Sequence, residues 1–417
     1  MTKTKVLHAL LILALGFFFS YCTSPQKELA HPTLLRSPYL QCAFQDSITI
    51  LWRTDTAEIC HVEYKEASSS EWQKATGTTS LTNTGITENE VVIKNIPTNS
   101  KYEYRIFSNN IQLNSSKSYW FRSPIADNDS SFTFFAVGDI GEPVDDGGTP
   151  DVLAKALAPH IDSLEFGVLL GDIVYPDGRS ELYDENLFQY FDQVFPYVPT
   201  YALLGNHDWH EPDSNYVKEW KLPHNEHYYS FNYGKVHFIA LDTKFGELYE
   251  YEKQVEWLKQ DLKSRPQNTE WTIVLLHHNG KSCTYKQDYE NVMSLYPVFD
   301  SARVDLVLNG HAHTYERLNP MDGEGMPIDE YIGKIDTYEN PKGFISITVG
   351  SGGKLRGIGS DPTPYTPDPE NCRHPNLVAK ADHLWAYLQL NINGKTLKAK
   401  ALGTETGKIV DEFTIIK

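Results

Sequence analysis

Two histidines flank an alanine in the segment GHAHTYER, residues 310–317, directly after the apolar run VDLVLN. The run is short, continuous and rich in β-branched residues, which is typical of a buried parallel strand. Open α/β sheets place their functional groups just past the carboxyl ends of such strands. His311 and His313 therefore stand where metal ligation or proton transfer is expected.

Four other apolar runs end in polar side chains of the same kinds. A glycine directly precedes the first of these groups in four of the five ends, and we expect it to let the backbone turn sharply. The intervals between successive ends are 33 or 34 residues for three pairs, about one strand–helix–strand unit of roughly 30 residues. Adjacent parallel strands would deliver these groups to one edge of a sheet. The groups are Asp139, Asp172 with Tyr175, Asn206 with His207 and Asp208, and His277 with His278.

Each of these residues also has a simpler interpretation. Asp139 or Asp172 could cap a helix, Asn206 could set a turn, and His278 could face solvent. The recurrence at five strand ends favours a shared site instead. His237 is predicted to be a core histidine, and six further histidines are predicted not to be ligands: His160, His210, His224, His227, His374 and His383.

The predicted groups suit two metal ions. Carboxylates, a phenolate, an amide oxygen and three imidazoles are too many for one ion, whereas two ions about 3.5–4 Å apart share a bridging ligand. Asp172 lies in the middle of the series and is the predicted bridge. Hard oxygen donors combined with imidazoles favour iron, manganese or zinc.

The surrounding sequence indicates two architectures. Short strand-like runs with polar turns, from about residue 34 to 122, predict an antiparallel sandwich with Trp52 in its core and a supporting or spacing role. From residue 131, strands alternate with helical segments, including one predicted at ENLFQYFDQVF (185–195), and β structure returns after Phe344. The predicted domains are an all-β unit at 33–125 and an α/β unit at 131–417 that includes the β-rich C-terminal segment.

The N-terminus predicts export. Lys3 and Lys5 precede the apolar stretch VLHALLILALGFFF, which indicates a signal peptide over residues 1–21 followed by a tether at 22–32. Cys22 stands where bacterial lipoproteins carry their lipid, although Tyr21 departs from that pattern. We predict a periplasmic or cell-surface protein, with either a lipidated Cys22 or ordinary cleavage nearby. The four later cysteines are compatible with two disulfides, Cys42–Cys60 and Cys283–Cys372, or with buried free thiols.

Net charge restricts the partners. The 417 residues contain 37 Lys and Arg against 55 Asp and Glu, a net charge of -18. This excludes a nucleic-acid backbone or an anionic lipid surface as the main partner. An anionic small substrate stays compatible, because bound metal ions reverse the local potential.

The blocks GDIG, GDIVY, GNHD, VLLH and GHAHTYER together resemble the five blocks of the purple acid phosphatases, within the calcineurin-like metallophosphoesterase superfamily. Gly141 stands where most branches have a histidine, and Tyr175 appears in the second block, an exchange that marks the purple branch. The segment RSPYLQ resembles the start of the family's front domain. The resemblance implies a fibronectin III-like sandwich followed by an α/β metallophosphoesterase domain with two central mixed sheets flanked by helices.

The resemblance also implies residue roles. Fe(III) would take Asp139, Asp172, Tyr175 and His313, and a divalent zinc, manganese or iron ion would take Asp172, Asn206, His277 and His311. His277 is preferred to His278 because its spacing from Val274 fits the family. Our hypothesis is that metal-bound hydroxide attacks phosphorus, that Asn206 and His207 bind the substrate, and that His207 protonates the leaving alkoxide. Tyr315, Glu316 and Arg317 would support the ligands.

One loop departs from the family pattern. Residues 279–292, NGKSCTYKQDYENV, lack the histidines that plant and animal members often carry there, and Lys281 and Lys286 are available to hold phosphate. The main interpretation is an exported, metal-dependent phosphatase of the acid phosphatase type that acts on small phosphate monoesters. The alternatives are a phosphodiesterase or nucleotide-processing enzyme with the same centre, and a non-enzymatic surface binding lipoprotein.

Overall fold

The computed structural model describes residues 29–417 apart from positions 45, 117, 210–215, 287, 335, 356–373 and 375. The predicted signal peptide, Cys22, most of the tether and His210 lie outside the described residues. Within the described ranges, no helix is both long and apolar enough to cross a bilayer.

The first part of the chain is a sandwich of nine strands. These are β1 (Leu34–Phe44), β2 (Ser47–Thr54), β3 (Cys60–Glu66), β4 (Gln73–Thr76), β5 (Thr78–Leu81), β6 (Thr87–Ile93), β7 (Lys101–Ser108), β8 (Ile111–Gln112) and β9 (Tyr119–Arg122). One sheet has the order β1-β2-β6-β5 and the other β4-β3-β7-β8, with β9 paired to β7. Trp52 is fully buried between the sheets and its indole N–H donates to Ser108 Oγ at 3.0 Å, so its predicted core position is confirmed.

The second part contains fourteen strands and six α-helices within the described residues. The strands are β10 (Ser131–Val137), β11 (Phe166–Leu169), β12 (Thr200–Ala202), β13 (Tyr229–Tyr233), β14 (Val236–Ala240), β15 (Trp271–Leu275), β16 (Leu306–Asn309), β17 (Tyr315–Leu318), β18 (Thr337–Glu339), β19 (Ile345–Val349), β20 (Val378–Asp382), β21 (Ala386–Asn393), β22 (Thr396–Gly403) and β23 (Ile409–Ile416). The helices are α1 (Pro150–Leu157), α2 (Ser180–Tyr183), α3 (Tyr216–Glu219), α4 (Tyr251–Ser264), α5 (Glu290–Met293) and α6 (Tyr296–Ser301).

Two seven-stranded mixed sheets form the centre of this part. Their orders are β12-β11-β10-β21-β22-β23-β18 and β13-β14-β15-β16-β19-β17-β20. Phe134 and Phe166 of the first sheet pack edge-on against Phe238 of the second, with ring centroids 5.3 and 5.4 Å apart. Helix α4 covers the outer face of the second sheet through Gln254, Leu258 and Leu262, which recur every four residues. The predicted fold class, a sandwich followed by an α/β unit with mixed sheets and flanking helices, is confirmed.

Parallel pairing brings the strand ends together. β10, β11 and β12 run parallel in the first sheet, and β14, β15, β16 and β19 run parallel in the second. Because the two sheets pack face to face, the carboxyl ends of both parallel groups open onto one edge. The predicted domain boundaries, 33–125 and 131–417, stay predictions.

Two local expectations are wrong. The predicted helix at 185–195 is replaced by a π-helical turn at Asp184–Phe188 and further turns, because its aromatic residues pack into the core and Pro196 follows. Cys42 and Cys60 are thiols, so the Cys42–Cys60 disulfide is wrong as well. Cys283 is disulfide-bonded to a partner outside the described residues.

Candidate metal centre

Glycines let the strand-end loops approach one another closely. A Cβ atom on Gly205 would lie 2.1 Å from the Asp172 backbone nitrogen, and one on Gly310 would lie 2.7 Å from Asp139 Oδ2. The expectation that such glycines turn the chain sharply fits Gly171, which has a φ of 83°, whereas Gly205 and Gly310 have no positive φ. The predicted ligands themselves also turn the chain, with φ of 57° at Asp139 and 48° at Asp172. Gly205 and Gly310 provide the space that these turns need.

The Tyr175 hydroxyl lies among three predicted ligands. It donates toward Asp139 Oδ1 at 2.8 Å and Asp172 Oδ2 at 3.0 Å, and His313 Nε2 lies 3.3 Å away. Burial raises the pKa of Tyr175 well above its ordinary value, and the two carboxylates raise it further. Without a cation, this hydroxyl keeps its proton and bridges two buried carboxylates. A trivalent ion bound here would favour the phenolate form.

His277 and Asn206 present polar atoms that have no hydrogen-bond partner. The Nδ1–H of His277 donates to the Leu170 carbonyl at 2.7 Å, which directs Nε2 toward Asp172 Oδ1, 3.4 Å away. That Nε2 and the Asn206 side-chain oxygen are buried and make no hydrogen bond. Buried polar atoms are nearly always paired, so two such atoms without a hydrogen bond fit a site that a cation completes.

His311 and His313 complete the cluster. His311 Nε2 hydrogen-bonds the Tyr289 hydroxyl at 2.7 Å, so Nδ1 is the nitrogen left for a ligand. The backbone N–H of His311 donates to Asp139 Oδ2 at 2.8 Å. Two groups have ligand atoms within 4.8 Å of one another, and His277 belongs to both: Asp139 with Asp172 and His277, and His277 with His278 and His311.

The electrostatics of the cluster suit cation binding. Burial alone would raise the pKa of Asp172, but His277 and His207 hold it well below its ordinary value. Burial lowers the pKa of His277, and Asp172 outweighs that effect and raises it to about 9. Burial and neighbouring imidazoles hold the pKa of His311 well below its ordinary value, so this ring is neutral at mild pH.

His207 is placed differently from the other imidazoles. Its side chain is 26% exposed, and its Nε2 lies 3.9 Å from Asp172 Oδ2. Its Nδ1 hydrogen-bonds the Pro176 carbonyl, and its backbone N–H donates to Asp172 Oδ1 at 2.8 Å. The ring is therefore held at the mouth of the cluster with Nε2 directed toward it, where a substrate would arrive.

Two of the predicted strand-end groups, His278 and Asp208, have structural contacts, and Thr243 near the site was not predicted. His278 is buried rather than solvent-facing, because Thr243 at the end of β14 hydrogen-bonds its Nδ1 at 2.9 Å. Asp208 accepts from the backbone N–H groups of Gly205 at 2.8 Å and Ile173 at 3.1 Å, which joins two strand-end loops. The sequence signal for Thr243 was present, because VHFIALDT is a sixth apolar strand that ends in polar groups.

The described histidines outside the cluster have other contacts. His237 is buried between Asn232 and Asp261, with 2.8 Å contacts to each, which confirms it as a core histidine. His227 pairs with Asp242 at 3.0 Å, and His374 pairs with Asp288 at 2.6 Å. His160, His224 and His383 belong to neither of the two groups of ligand atoms found among the described residues.

The block that follows the two histidines has a structural role. Tyr315 and Arg317 both hydrogen-bond Asp411 of β23, with a shortest contact of 2.6 Å from Arg317 Nε. Glu316 accepts from Ser282 Oγ at 2.8 Å and from the Cys283 N–H at 2.9 Å. Strand β17 therefore fastens the histidine-free loop and the C-terminal strands.

Two family models match the chain. The calcineurin-like phosphoesterase model matches residues 132–315, and the purple acid phosphatase N-terminal domain model matches residues 38–123. The first match covers every predicted ligand, and the second covers most of the sandwich.

Three relatives show the extent of the similarity. Purple acid phosphatase 18 of Arabidopsis thaliana is 31% identical over 56% of this chain and 53% of its own length. Probable purple acid phosphatase 20 of the same plant is 27% identical over 87% of both chains. The structure of a purple acid phosphatase from yellow lupin (Lupinus luteus) seeds has a TM-score of 0.76 at 19% identity, and covers 91% of this chain and 74% of that one. Coverage of the relatives is thus uneven, with about half of the first one spanned.

Proposed function

We propose that this chain, which is a purple acid phosphatase-like protein of the calcineurin-like phosphoesterase superfamily, is a metal-dependent phosphatase that hydrolyses phosphate monoesters. The observation that carries the proposal is the pair of buried side-chain atoms without a hydrogen bond, Asn206 Oδ1 and His277 Nε2, the second of which lies 3.4 Å from Asp172 Oδ1. Both atoms can coordinate a cation, which would complete their contacts.

The side chains divide into two ligand sets. One set surrounds the Tyr175 hydroxyl, and the other surrounds Asp172 Oδ1. We assign Asp139, Asp172, Tyr175 and His313 to a ferric ion, and Asp172, Asn206, His277 and His311 to a divalent zinc, manganese or iron ion. His277 is favoured over His278 because its Nε2 lies 3.4 Å from Oδ1 of the predicted bridge Asp172. When bound, such ions supply positive charge to phosphoryl oxygens and lower the pKa of a coordinated water.

The protein's own groups then orient the substrate and move a proton. The Nδ1 contact with the Pro176 carbonyl fixes the His207 ring with its Nε2 directed toward the cluster, 3.9 Å from Asp172 Oδ2. From there it can hydrogen-bond an equatorial phosphoryl oxygen or donate a proton to the leaving alkoxide. Asn206, adjacent in sequence, contributes its amide to the same end of the substrate.

The histidine-free loop supplies a different phosphate-binding group. Lys281 donates to the carbonyls of Glu324 and Gly325 at 3.2 and 2.8 Å, so its ammonium holds the loop. Lys286 lies over the Tyr285 ring at 5.4 Å, and the Tyr285 hydroxyl accepts from the His313 N–H at 3.2 Å. Burial is the largest cause of the lowered pKa of both His278 and His311, neighbouring imidazoles lower it further, and the Lys286 charge adds a smaller effect in the same direction. Lys286 is therefore the lysine that faces the site.

The test is hydrolysis by protein starting after Cys22 and reconstituted with iron and zinc. We expect an aryl phosphate monoester to be hydrolysed much faster than the matching bis-aryl diester between acid and neutral pH. His207→Ala should lose rate mainly on substrates with poor leaving groups, because these need a proton. A preference for the diester would favour the phosphodiesterase alternative. If neither ester is hydrolysed in a metal-dependent way, the remaining interpretation is the non-enzymatic binding lipoprotein.

Export is a separate part of the proposal. The signal-like N-terminus and Cys22 support a periplasmic or cell-surface protein with a lipid anchor, and a small phosphorylated substrate as its partner. Metabolic labelling with a fatty acid, compared between the natural chain and Cys22→Ser, tests the anchor. Label that persists in Cys22→Ser would contradict it.

A further inference from the structure

A buried group of charges joins the N-terminal sandwich to the metal-site domain. The Arg36 guanidinium on β1 is fully buried and donates through Nε and Nη2 to both carboxylate oxygens of Asp184, at 2.6 and 3.0 Å. Its Nη1 donates to Glu219 Oε2 at 2.8 Å. The same guanidinium lies 3.8 Å from the centre of the Phe188 ring. One residue of the sandwich thus binds two segments of the other domain, at Asp184 and at Glu219.

The Asp184 contact leads directly into the predicted metal site. Asp184 opens the π-helical turn Asp184–Phe188, and Asn186 within that turn is buried. The Asn186 side-chain amide donates to the Tyr175 carbonyl at 2.9 Å. The next carbonyl along the chain, that of Pro176, accepts the hydrogen bond from His207 Nδ1. Three sets of hydrogen bonds, connected by the backbone from Asp184 to Asn186 and from Tyr175 to Pro176, therefore join Arg36 to Tyr175 and His207.

The geometry of this series restricts the site closely. A two-pronged arginine–carboxylate contact fixes the direction as well as the distance of its partner. An interior π-helical turn is rare and is frequently found at functional sites. Arg36 is fully buried and its pair with Glu219 is desolvated, whereas the Asp184 side chain is 40% exposed. Buried ion pairs are weak evidence for added stability but are retained in some proteins for conformational specificity.

We propose that Arg36 is a positioning residue for the metal site, holding the Tyr175 hydroxyl and the His207 ring through Asp184 and Asn186. The sandwich is then part of the catalytic apparatus, in contrast to the supporting or spacing role expected from the sequence. This inference rests on the proposed function for its kinetic consequence. Its structural consequence concerns the protein without metal and can be measured separately.

The test compares Arg36→Gln with a matched control at the same domain boundary. Tyr104→Phe removes another buried contact between the domains, the 2.8 Å hydrogen bond from Tyr104 to the Pro196 carbonyl, which has no path to the site. Hydrogen–deuterium exchange of the metal-free full chain is followed by mass spectrometry. We expect Arg36→Gln to raise exchange over residues 172–188 and 205–209, and Tyr104→Phe to leave both segments unchanged. Equal profiles in the two variants would overturn the proposal.

A second variant covers the case in which Arg36→Gln does not fold. Asn186→Leu keeps the ion pairs and removes only the donor to the Tyr175 carbonyl. We expect faster exchange at 172–188 and, in metal-loaded protein, a kcat about 10- to 100-fold lower with KM within twofold. Natural exchange and natural kcat in this variant would refute the proposal. If the natural protein lacks phosphatase activity, the proposed function fails while the exchange measurement still decides this inference.

Discussion

Three predicted ligands hold backbone conformations that side chains other than glycine seldom adopt. The φ angles of Asp139, Asp172 and His311 are 57°, 48° and 67°, and each such conformation costs on the order of 1–3 kcal/mol. Contacts within the site offset that cost. The Asp139 N–H donates to the Gly171 carbonyl at 3.0 Å, and the His311 N–H donates to Asp139 Oδ2. The ligands are therefore directed inward by the protein before any ion binds.

Gly205 provides the sharpest test of that close approach. In Gly205→Ala the new methyl would lie 2.1 and 2.2 Å from the Asp172 nitrogen and Oδ1, so the Asp172 and Asn206 loops must separate. A displacement of about 1 Å costs roughly 100-fold in rate, and we expect at least that loss of kcat, together with weaker metal binding by calorimetry.

The matched control for Gly205→Ala is Gly394→Ala in the β21–β22 turn. Gly394 has a φ of +58° and nothing within 4 Å of an added Cβ. We expect this variant to lose about 1–2 kcal/mol of stability and to keep natural kcat and metal affinity. Equal kinetic losses in both variants would mean that backbone strain, and not crowding of Asp172, controls the site.

The two lysines of the histidine-free loop should differ in effect. Lys286→Gln removes an ammonium that faces the cluster, and we expect KM for an aryl phosphate to rise about tenfold, as for the loss of a charged hydrogen bond, with kcat within twofold. Lys281→Gln is the control, because its ammonium holds the loop to the carbonyls of Glu324 and Gly325. It should lower the melting temperature and leave KM unchanged. An unchanged KM in Lys286→Gln would show that Lys286 does not contact the substrate.

At the scale of elements, strand β17 anchors the histidine-free loop, residues 279–292. Glu316 is fully buried and accepts two hydrogen bonds from Ser282 and Cys283. The same loop carries Tyr289, which orients His311, and Tyr285, which contacts the His313 backbone. A single carboxylate behind the site therefore controls the placement of several groups in front of it.

Glu316→Gln should loosen that loop. A glutamine offers one acceptor oxygen where the carboxylate offers two, so its NH₂ group would face an N–H or O–H donor. We expect a stability loss of about 1–3 kcal/mol and a several-fold rise in KM. Asp411→Asn serves as the control, since it disturbs the β17 contacts of Tyr315 and Arg317 away from the loop. It should lower stability in urea titrations without changing KM, and a KM increase in both variants would contradict the loop's role.

Local patterns made the strand ends predictable, because a buried parallel strand and its polar end are encoded within about ten residues, whereas the two mixed sheets were expected from the family resemblance. Groups fixed by distant contacts were not predictable. Thr243 buries His278 from 35 residues away, and Asn186 reaches Tyr175 from a turn whose aromatic residues suggested a regular helix. Arg36 and Gln41 lie buried in β1, where an apolar pattern would have been expected, because their partners belong to another domain.

At the scale of the whole molecule, the two domains share one interior. Tyr39 of β1 and Leu51 of β2 belong to the same buried cluster as the cores of both mixed sheets. The Tyr39 hydroxyl donates to Glu88 Oε1 at 2.7 Å, and Glu88 pairs with Arg53. Arg53 Nη1 in turn lies 2.9 Å from Glu219 Oε2, which also accepts from Arg36. Glu219 is thus the countercharge for two buried guanidinium groups on the sandwich.

This arrangement predicts that the domains unfold together. Calorimetry of the natural protein should give one transition, and its midpoint should change little between low salt and 1 M salt, because buried pairs are screened weakly. Glu219→Gln leaves two buried arginines with less countercharge, which should cost about 3–5 kcal/mol and separate the sandwich transition from that of the α/β domain. If the natural protein unfolds in two transitions, or if Glu219→Gln unfolds in one transition at the natural midpoint, the interface contributes little free energy to the stability of either domain. In that case a long-range positioning effect of Arg36 would also lack its physical basis, so the calorimetry bears on the metal site as well as on the fold.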